Sequence, residues 1–257
     1  MTILRIDGLT RRFGGLVAVD NVSFEIPTAG LSAVIGPNGA GKTTLFNMIS
    51  GFTLPSTGRV YFDGEEITGW MPESIARRGL IRTFQLVQLF EGLTVLENVK
   101  VGCHLHTRGG LLAALVPLRS ARDEEAAVEI EAHQLLAATG LLQQAKTHAA
   151  VLPYGQKRLL EITRALAARP KLLLLDEPAA GLNRQETDAL ATLLLRIVAD
   201  GTAILLIEHD MTLVMSVADH VAVLDFGRII ANGKPDDVKR NPDVVAAYLG
   251  TQEAAHV

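Results

Sequence analysis

One run of eight residues combines glycines, a lysine and a threonine in a spacing suited to phosphate chemistry. It matches G-x-x-x-x-G-K-[ST] at every fixed position and reads Gly36-Pro37-Asn38-Gly39-Ala40-Gly41-Lys42-Thr43. Glycines let the backbone curl so that successive N–H groups face one phosphate, and a following helix adds the positive end of its dipole. The run therefore predicts a loop that cradles a phosphate chain.

The elements that must position this loop are visible on both sides of it. Leu31–Ile35 is a short apolar strand, and Thr43–Gly51 has helical spacing. A strand, a glycine-rich loop and a helix in this order predict a P-loop that binds ATP, and we expect its nucleotide-binding residues to continue from Thr43 to Thr44. Lys42 would reach the β- and γ-phosphates, and the Thr43 hydroxyl would bind Mg²⁺.

A pair of acidic residues follows a second apolar run. Leu172–Leu175 leads directly into Asp176 and Glu177. Strands of an open α/β sheet carry ligand-binding residues at their carboxyl ends. Asp176 would hold Mg²⁺ through its water shell, and Glu177 would act as general base on the attacking water. Such a pair is usually only a solvated strand end, so the assignment depends on the P-loop motif.

Periodicity indicates the rest of the fold. Ile3–Leu9 and Val19–Ile26 alternate as antiparallel strands do, and Gly58–Phe62 leads into a tight turn at Asp63-Gly64. Helical periodicity is clear in Ala121–Ala138. Beyond residue 152, strands and helices alternate, and we predict them at Lys171–Leu175, Arg184–Asp200, Ala203–Ile207, Thr212–Ala218, His220–Asp225 and Arg228–Ala231.

These patterns predict an α/β fold of the P-loop NTPase class. The core sheet is expected to be mainly parallel, with an N-terminal antiparallel β subdomain. The Ala-, Leu- and Glu-rich middle of the chain is expected to form a helical subdomain inserted at 93–149. Residues 1–257 would then form one domain, with its α/β core and β subdomain in 1–92 and 150–257.

Leu152-Pro153-Tyr154-Gly155-Gln156-Lys157-Arg158 narrows the choice among P-loop proteins. It stands before the amphipathic stretch Leu159–Ala168 and resembles the L-S-G-G-Q signature of ATP-binding cassette (ABC) ATPases. The resemblance covers nearly the whole chain and includes a D-loop at Ala180–Asn183. It implies a head-to-tail dimer of ATPase subunits, in which each ATP lies between one P-loop and the partner's signature.

The resemblance also implies roles for single residues. Phe13 would stack on adenine, and Gln85 would contact Mg²⁺ and water as the Q-loop glutamine. His209 would touch the γ-phosphate as the switch histidine. Tyr154, Gly155 and Gln156 would address the phosphate of the partner's ATP.

Each of these residues also has a structural interpretation. Phe13 alone would more often be a core aromatic, and a lone Gln85 would be solvated. His209 would more often be a hydrogen-bonded structural histidine. The order of these residues along the chain, beside the two strong motifs, favours the functional interpretation.

Pro153 departs from the family pattern. It stands where the family has a small hydroxyl residue, usually Ser, whose side chain binds the γ-phosphate across the dimer. Proline has neither a hydroxyl nor an N–H, although it suits the first turn of a helix. The hypothesis is that hydrolysis persists while the closed ATP dimer is weakened.

Longer strings resemble the ATPase subunits of branched-chain amino-acid importers, the LivG type. They include Arg12–Val19, Arg82–Gln85, Leu93–Val99, Ile207–Met211 and Ala247–Gly250, and the stretch Cys103–Leu118 matches that group's insertion in position. Urea and amide importers have similar ATPases, and a soluble non-transport ABC ATPase is a further alternative.

This resemblance implies a set of partners and a location. The partners are integral-membrane permease subunits, a second ATPase subunit (identical or paralogous) and, indirectly, a periplasmic or extracellular solute-binding protein. The chain would be peripheral, on the cytoplasmic side of the cell membrane.

Composition fits this interpretation. The formal net charge of −4 gives no reason to expect nucleic-acid binding. The single cysteine, Cys103, can form neither an internal disulfide nor a thiolate metal site. Residues 1–10 lack the apolar run of a signal peptide, and no stretch reaches the ~18 apolar residues of a membrane span. We therefore expect any membrane role to depend on a partner.

Overall fold

The computed structural model describes residues 1–105 and 119–253, with side chains for 1–105 and 123–248. Most of the stretch Cys103–Leu118, which resembles the importer insertion, lies outside these residues. In the described part of the chain, no helix has the length and hydropathy to cross a membrane.

Two sheets hold the strands of the described residues. The first is antiparallel in the order β2-β1-β4-β5, and the second has the order β10-β9-β3-β8-β7-β6. Within the second sheet only β9 and β10 pair antiparallel. The strands are β1 (Thr2–Phe13), β2 (Leu16–Pro27), β3 (Leu31–Ile35), β4 (Thr57–Phe62), β5 (Glu65–Glu66), β6 (Leu80–Arg82), β7 (Leu172–Asp176), β8 (Ala203–Ile207), β9 (His220–Asp225) and β10 (Arg228–Gly233).

Helices connect these strands. In the described residues they are α1 (Lys42–Ile49), α2 (Pro72–Arg77), α3 (Val95–Cys103), α4 (Arg119–Ala138), α5 (Tyr154–Ala167), α6 (Arg184–Ala199), α7 (Met211–Val217), α8 (Pro235–Lys239) and α9 (Pro242–Glu253). Short 3-10 turns lie at Leu142–Gln144 and Ala149–Val151.

The burial patterns explain why the two sheets differ. Every residue of β3, β7 and β8 is buried, as expected for parallel strands covered on both faces. In β2 the pattern alternates over Asn21–Pro27, as in an antiparallel sheet with one solvated face. The predicted fold class, with a mainly parallel core sheet and an antiparallel β subdomain, is confirmed.

The chain divides into two compact units. One comprises Met1–Arg82, Lys171–Ala180 and Thr187–Val257, and contains both sheets. The other comprises Thr83–Pro170 and Gly181–Glu186, and is helical.

The helical unit is larger than the stretch 93–149 proposed from the sequence. Helix α5, which the sequence assigned to the α/β core, belongs to it because α5 packs on α3 and α4. Leu160 of α5 shares one buried cluster with Val99 of α3 and Leu136 of α4. Amphipathic spacing revealed that α5 buries one face, but it does not reveal which element covers that face.

Candidate functional site

The glycine-rich loop joins β3 to α1, and its backbone geometry requires glycine. Gly36 has φ 150° and Gly41 has φ 103°, in the region that favours glycine. A Cβ at Gly36 would lie 2.0 Å from the Leu224 carbonyl oxygen, and one at Gly41 would lie 2.3 Å from that of Ala18. Both fixed glycines of the motif are therefore required by close backbone contacts.

Lys42 is the first residue of α1, and its side chain folds over the loop. The residue is only 6% exposed, and its Nζ donates hydrogen bonds to the carbonyl oxygens of Gly36 (2.7 Å) and Pro37 (2.9 Å). Burial lowers the pKa of the ammonium, while the negative charges of Glu177 and Asp176 oppose that shift. A buried cation thus lies within the loop, beside two carboxylates.

The sheet topology explains why the motifs meet. The P-loop follows β3, His209 follows β8, and the acidic pair lies at the end of β7, in a sheet whose order includes β9-β3-β8-β7. These strands are parallel, so their carboxyl ends share one edge of the sheet. The predicted P-loop, acidic pair and switch histidine thus belong to one compact unit.

Asp176 is held by a buried arginine. Its Oδ2 accepts a hydrogen bond of 2.9 Å from Nη2 of Arg82, and both side chains are about 95% buried. Arg82 Nη1 also donates to Asn47 Oδ1 and Ser50 Oγ, each at 2.8 Å. Arg82 therefore fixes Asp176 to the helix that follows the P-loop.

The oxygen donors at this edge fit Mg²⁺. Thr43 is exposed in the first turn of α1, and Asp176 ends β7. Hydroxyl and carboxylate oxygens suit this ion, which takes its other ligands from water and substrate phosphates. In residues 1–105 and 123–248, no three His, Cys, Asp or Glu side chains group to hold a metal ion. The hydroxyl of Thr43 and the carboxylate of Asp176 fit an ion that takes its remaining ligands from water and substrate phosphates.

Glu177 and His209 lie next to each other at the ends of β7 and β8. Glu177 has φ 47°, and its N–H donates to the Ile207 carbonyl oxygen at 2.9 Å. His209 Nδ1 lies 3.8 Å from Glu177 Oε2, and the histidine side chain is 59% exposed. A carboxylate and an imidazole thus stand together where the sheet meets solvent.

Glu208, the residue before His209, bonds the backbone on both sides of the Glu177–His209 pair. It is fully buried, and it accepts hydrogen bonds from the N–H groups of Ala179 (2.8 Å) and His209 (3.0 Å). Burial raises the pKa of Glu208, and these backbone donors oppose the shift. Glu208 thereby links the segment after β7 to the segment after β8.

Phe13 lies at the turn between β1 and β2, where it is 47% exposed. The guanidinium carbon of Arg11 stands 4.5 Å from the centre of its ring. The interpretation of Phe13 as a core aromatic is therefore wrong. Its stacking on adenine stays a prediction, for which an exposed ring face is required.

The signature residues belong to the helical unit. Tyr154, Gly155 and Gln156 open α5, and Pro153 is the N-cap residue without a side-chain cap hydrogen bond. Tyr154 is 46% exposed. A Cβ at Gly155 would lie 2.3 Å from Glu186 Oε1, so the start of α5 lies tightly against the N-terminus of α6. The phosphate-binding role of these residues stays a prediction.

Gln85 also belongs to the helical unit. Its side chain is exposed, and its backbone carbonyl oxygen accepts a hydrogen bond of 2.8 Å from Nη2 of Arg158 in α5. The Q-loop backbone is therefore anchored to the signature helix within one unit. Contact of Gln85 with Mg²⁺ and water stays a prediction.

Comparison with known proteins decides the family. A protein-family model with the description "ABC transporter" matches residues 19–180, which include the P-loop, the signature and the acidic pair. The chain belongs to the ABC transporter family. A second model, described as branched-chain amino acid ATP-binding cassette transporter, matches residues 228–254.

Two relatives of this ABC protein match it over nearly their full length. The high-affinity branched-chain amino acid transport ATP-binding protein BraF of Pseudomonas aeruginosa is 47% identical, over 96% of this chain and 98% of its own. The corresponding protein LivG of Escherichia coli is 44% identical, over 96% and 98%.

Solved ABC cassettes have the same fold. A nucleotide-free ATP-binding cassette from an ABC transporter is 34% identical, with a TM-score of 0.83 over 96% of this chain and 99% of its own. A cassette in its ADP conformation is 35% identical, with a TM-score of 0.84 over 97% and 99%.

The ABC cassette also contains site residues that the sequence did not single out. Arg82 and Glu208 are two, and Tyr248 of α9 is a third. The Tyr248 hydroxyl oxygen is buried, and burial raises the pKa of the phenol to about 12, an effect that the nearby backbone of Gly36 opposes. The string Ala247–Gly250 marked this segment as importer-like, but no local pattern indicates contact with the P-loop.

Proposed function

We propose that this chain is the ATP-hydrolysing subunit of an ABC importer for branched-chain amino acids. The observation that carries the proposal is the presence of the P-loop, Asp176, Glu177 and His209 in one compact unit. The match of residues 228–254 to the branched-chain family model supports the solute class.

Nucleotide binding follows from the loop geometry. Backbone N–H groups of residues 36–43 and the Lys42 ammonium would hold the β- and γ-phosphates. Lys42 donates to Gly36 and Pro37 in the structure, so the loop already holds its cation in place. Mg²⁺ held by Thr43, Asp176 and Gln85 would neutralise charge that develops on the phosphates. Phe13 would stack on the adenine.

Hydrolysis requires a base and a group that addresses the γ-phosphate. Glu177 would accept the proton of the attacking water. His209, which is within 3.8 Å of Glu177, would donate a hydrogen bond to the γ-phosphate. Arg82 would keep Asp176 oriented, because a buried ligand carboxylate needs a fixed second partner.

A second ATPase subunit would complete each site. In a head-to-tail dimer, Tyr154, Gly155 and Gln156 would present the N-terminus of α5 to the partner's ATP. Closure on ATP and opening after hydrolysis would drive permease subunits between inward- and outward-facing states. The chain would then lie on the cytoplasmic side of the membrane, and a solute-binding protein would deliver the amino acid to the permease.

Copurification tests this proposal. Tagged Glu177→Gln is expected to bind ATP without hydrolysing it, so solubilisation with Mg-ATP should retain the closed complex. Mass spectrometry should then find polytopic permease subunits, with or without a second ATPase. Lys42→Ala is the matched control. It should not bind nucleotide, so adding Mg-ATP should not increase the amount of permease that copurifies with it.

Two other results would contradict the proposal. Recovery of ribosomal or DNA-processing proteins without a membrane protein would favour a soluble ABC ATPase. Recovery of a permease that transports urea or amides would correct the solute while keeping the ATPase.

A further inference from the structure

A completely buried arginine in α5 holds the segment that contains Gln85. Arg158 is 0% exposed, and its Nη1 and Nη2 donate to the carbonyl oxygens of Phe84 and Gln85, each at 2.8 Å. The guanidinium is a planar fork, so one side chain can reach two successive carbonyl groups. The backbone at 84–85, which lies in no helix or strand, is thereby bonded to the signature helix.

Glu161, one turn further along α5, holds the other end of this segment. Its Oε2 accepts a bond of 2.8 Å from Arg158 Nη1, and its Oε1 accepts one of 3.3 Å from the N–H of Gln88. Glu161 is 2% exposed. Burial raises the pKa of its carboxyl, and the charge of Arg158 opposes that shift. The pair therefore contacts both ends of residues 84–88.

Stability alone does not account for this pair. Taking two charges out of water carries a large free-energy penalty, and well-packed apolar residues of similar volume often stabilise the fold equally well. Apolar side chains, however, cannot bond the backbone at 84, 85 and 88. What the ion pair adds is a fixed path for this segment.

We propose that Arg158 and Glu161 are positioning residues that fix the backbone of 84–88, and with it Gln85, to the helix that begins at Tyr154–Gln156. The inference rests on the proposed function, in which Gln85 contacts Mg²⁺ and water and Tyr154–Gln156 face the partner's ATP. Both groups then move as one body during closure. Neither charged group reaches solvent, so the pair acts through Gln85 rather than on the nucleotide.

A double variant separates positioning from stability. Arg158→Met/Glu161→Leu keeps the volume but removes the backbone contacts. We expect its Tm to stay within about 4 °C of the wild type. Amide exchange in 84–88 should become faster, and kcat for ATP should fall roughly 10- to 100-fold because Gln85 is misplaced. KM for ATP should change less than about threefold, because the P-loop belongs to the other unit.

The matched control removes an exposed arginine–glutamate pair of the same unit. Arg169 Nη2 lies 2.7 Å from Glu131 Oε2, with the arginine side chain 65% exposed. Arg169→Met/Glu131→Gln should leave kcat and the exchange of 84–88 unchanged.

The proposal is overturned if the double variant folds with wild-type kcat and wild-type exchange in 84–88. If the double variant does not fold, Arg158→Lys decides the question, because lysine keeps the charge but cannot bridge both carbonyls as a fork. A lowered kcat with faster exchange supports the proposal, and wild-type values of both overturn it. A wild-type chain without ATPase activity would instead contradict the proposed function, while the exchange comparison would still report on the pair.

Discussion

At the scale of single residues, Glu177 is the group on which the proposed chemistry depends. Its backbone is held at φ 47°, where few residues other than glycine are found, by a hydrogen bond to Ile207. The strained backbone places the carboxylate beside His209 at the edge of the sheet. Strain of this kind persists where the surrounding structure fixes the backbone, and here it accompanies the placement of the Glu177 carboxylate 3.8 Å from His209 Nδ1.

Replacing Glu177 by Gln should separate ATP binding from hydrolysis. An amide cannot accept the proton of water, so we expect turnover to fall by about 10² to 10⁴ while ATP affinity stays near the wild-type value. Steady-state phosphate release and equilibrium binding of a fluorescent ATP analogue measure the two quantities. Near-normal turnover would remove Glu177 from the role of general base.

Replacing Lys42 by Ala should weaken ATP binding itself, whereas Glu177→Gln should impair only hydrolysis. Loss of a charged hydrogen bond to phosphate costs about 1.5–3 kcal/mol, so we expect nucleotide affinity to fall at least about tenfold. Unchanged affinity in the same binding measurement would contradict the P-loop assignment.

At the scale of elements, the start of α5 combines a predicted function with an unusual cap. Pro153 has φ −55° and ψ 153° as the N-cap residue, and its side chain makes no cap hydrogen bond. Serine at an N-cap accepts a hydrogen bond from the first turn and is preferred there. Pro153 therefore supplies a suitable backbone but neither a cap nor a hydroxyl for phosphate.

Pro153→Ser should strengthen the closed ATP dimer. A serine hydroxyl would cap α5 and bond the partner's γ-phosphate, so we expect tighter ATP binding and altered turnover. ATP-dependent dimerisation, measured by light scattering in the Glu177→Gln background, reports the change directly. Identical ATP affinity and turnover in Pro153→Ser and wild type would contradict the hypothesis that Pro153 weakens the dimer.

Local sequence patterns predicted most of the helices and strands, because hydrophobic periodicity is a property of neighbouring residues. Continuous apolar runs marked β3, β7 and β8, and helical spacing marked α4 and α6. The three-residue strand β6 and the short helices α2 and α8 were not predicted, since so few residues show no periodicity. Helix α9 was also missed; its apolar residues do not form a clear amphipathic face.

At the scale of the whole molecule, the site depends on contacts between distant parts of the sequence. Arg82 bonds Asp176 across 94 positions, and Glu208 bonds the backbone of Ala179 across 29. These pairs follow from the order of strands in the sheet, which local periodicity does not reveal. The motifs alone therefore name the candidate residues for the chemistry, but not the residues that hold them in place.

The measurement that tests the central claim most directly is leucine uptake by cells. Radiolabelled leucine and, in parallel, radiolabelled urea would be offered to three strains. One strain has the wild-type chain, the second has only the Glu177→Gln variant, and the third lacks the chain. The three strains are matched for permease level by immunoblot. We predict that only the strain with the wild-type chain takes up leucine, and that urea uptake is equal in all three strains. Equal leucine uptake in wild-type and Glu177→Gln cells would contradict the claim that ATP hydrolysis by this chain drives the import of branched-chain amino acids.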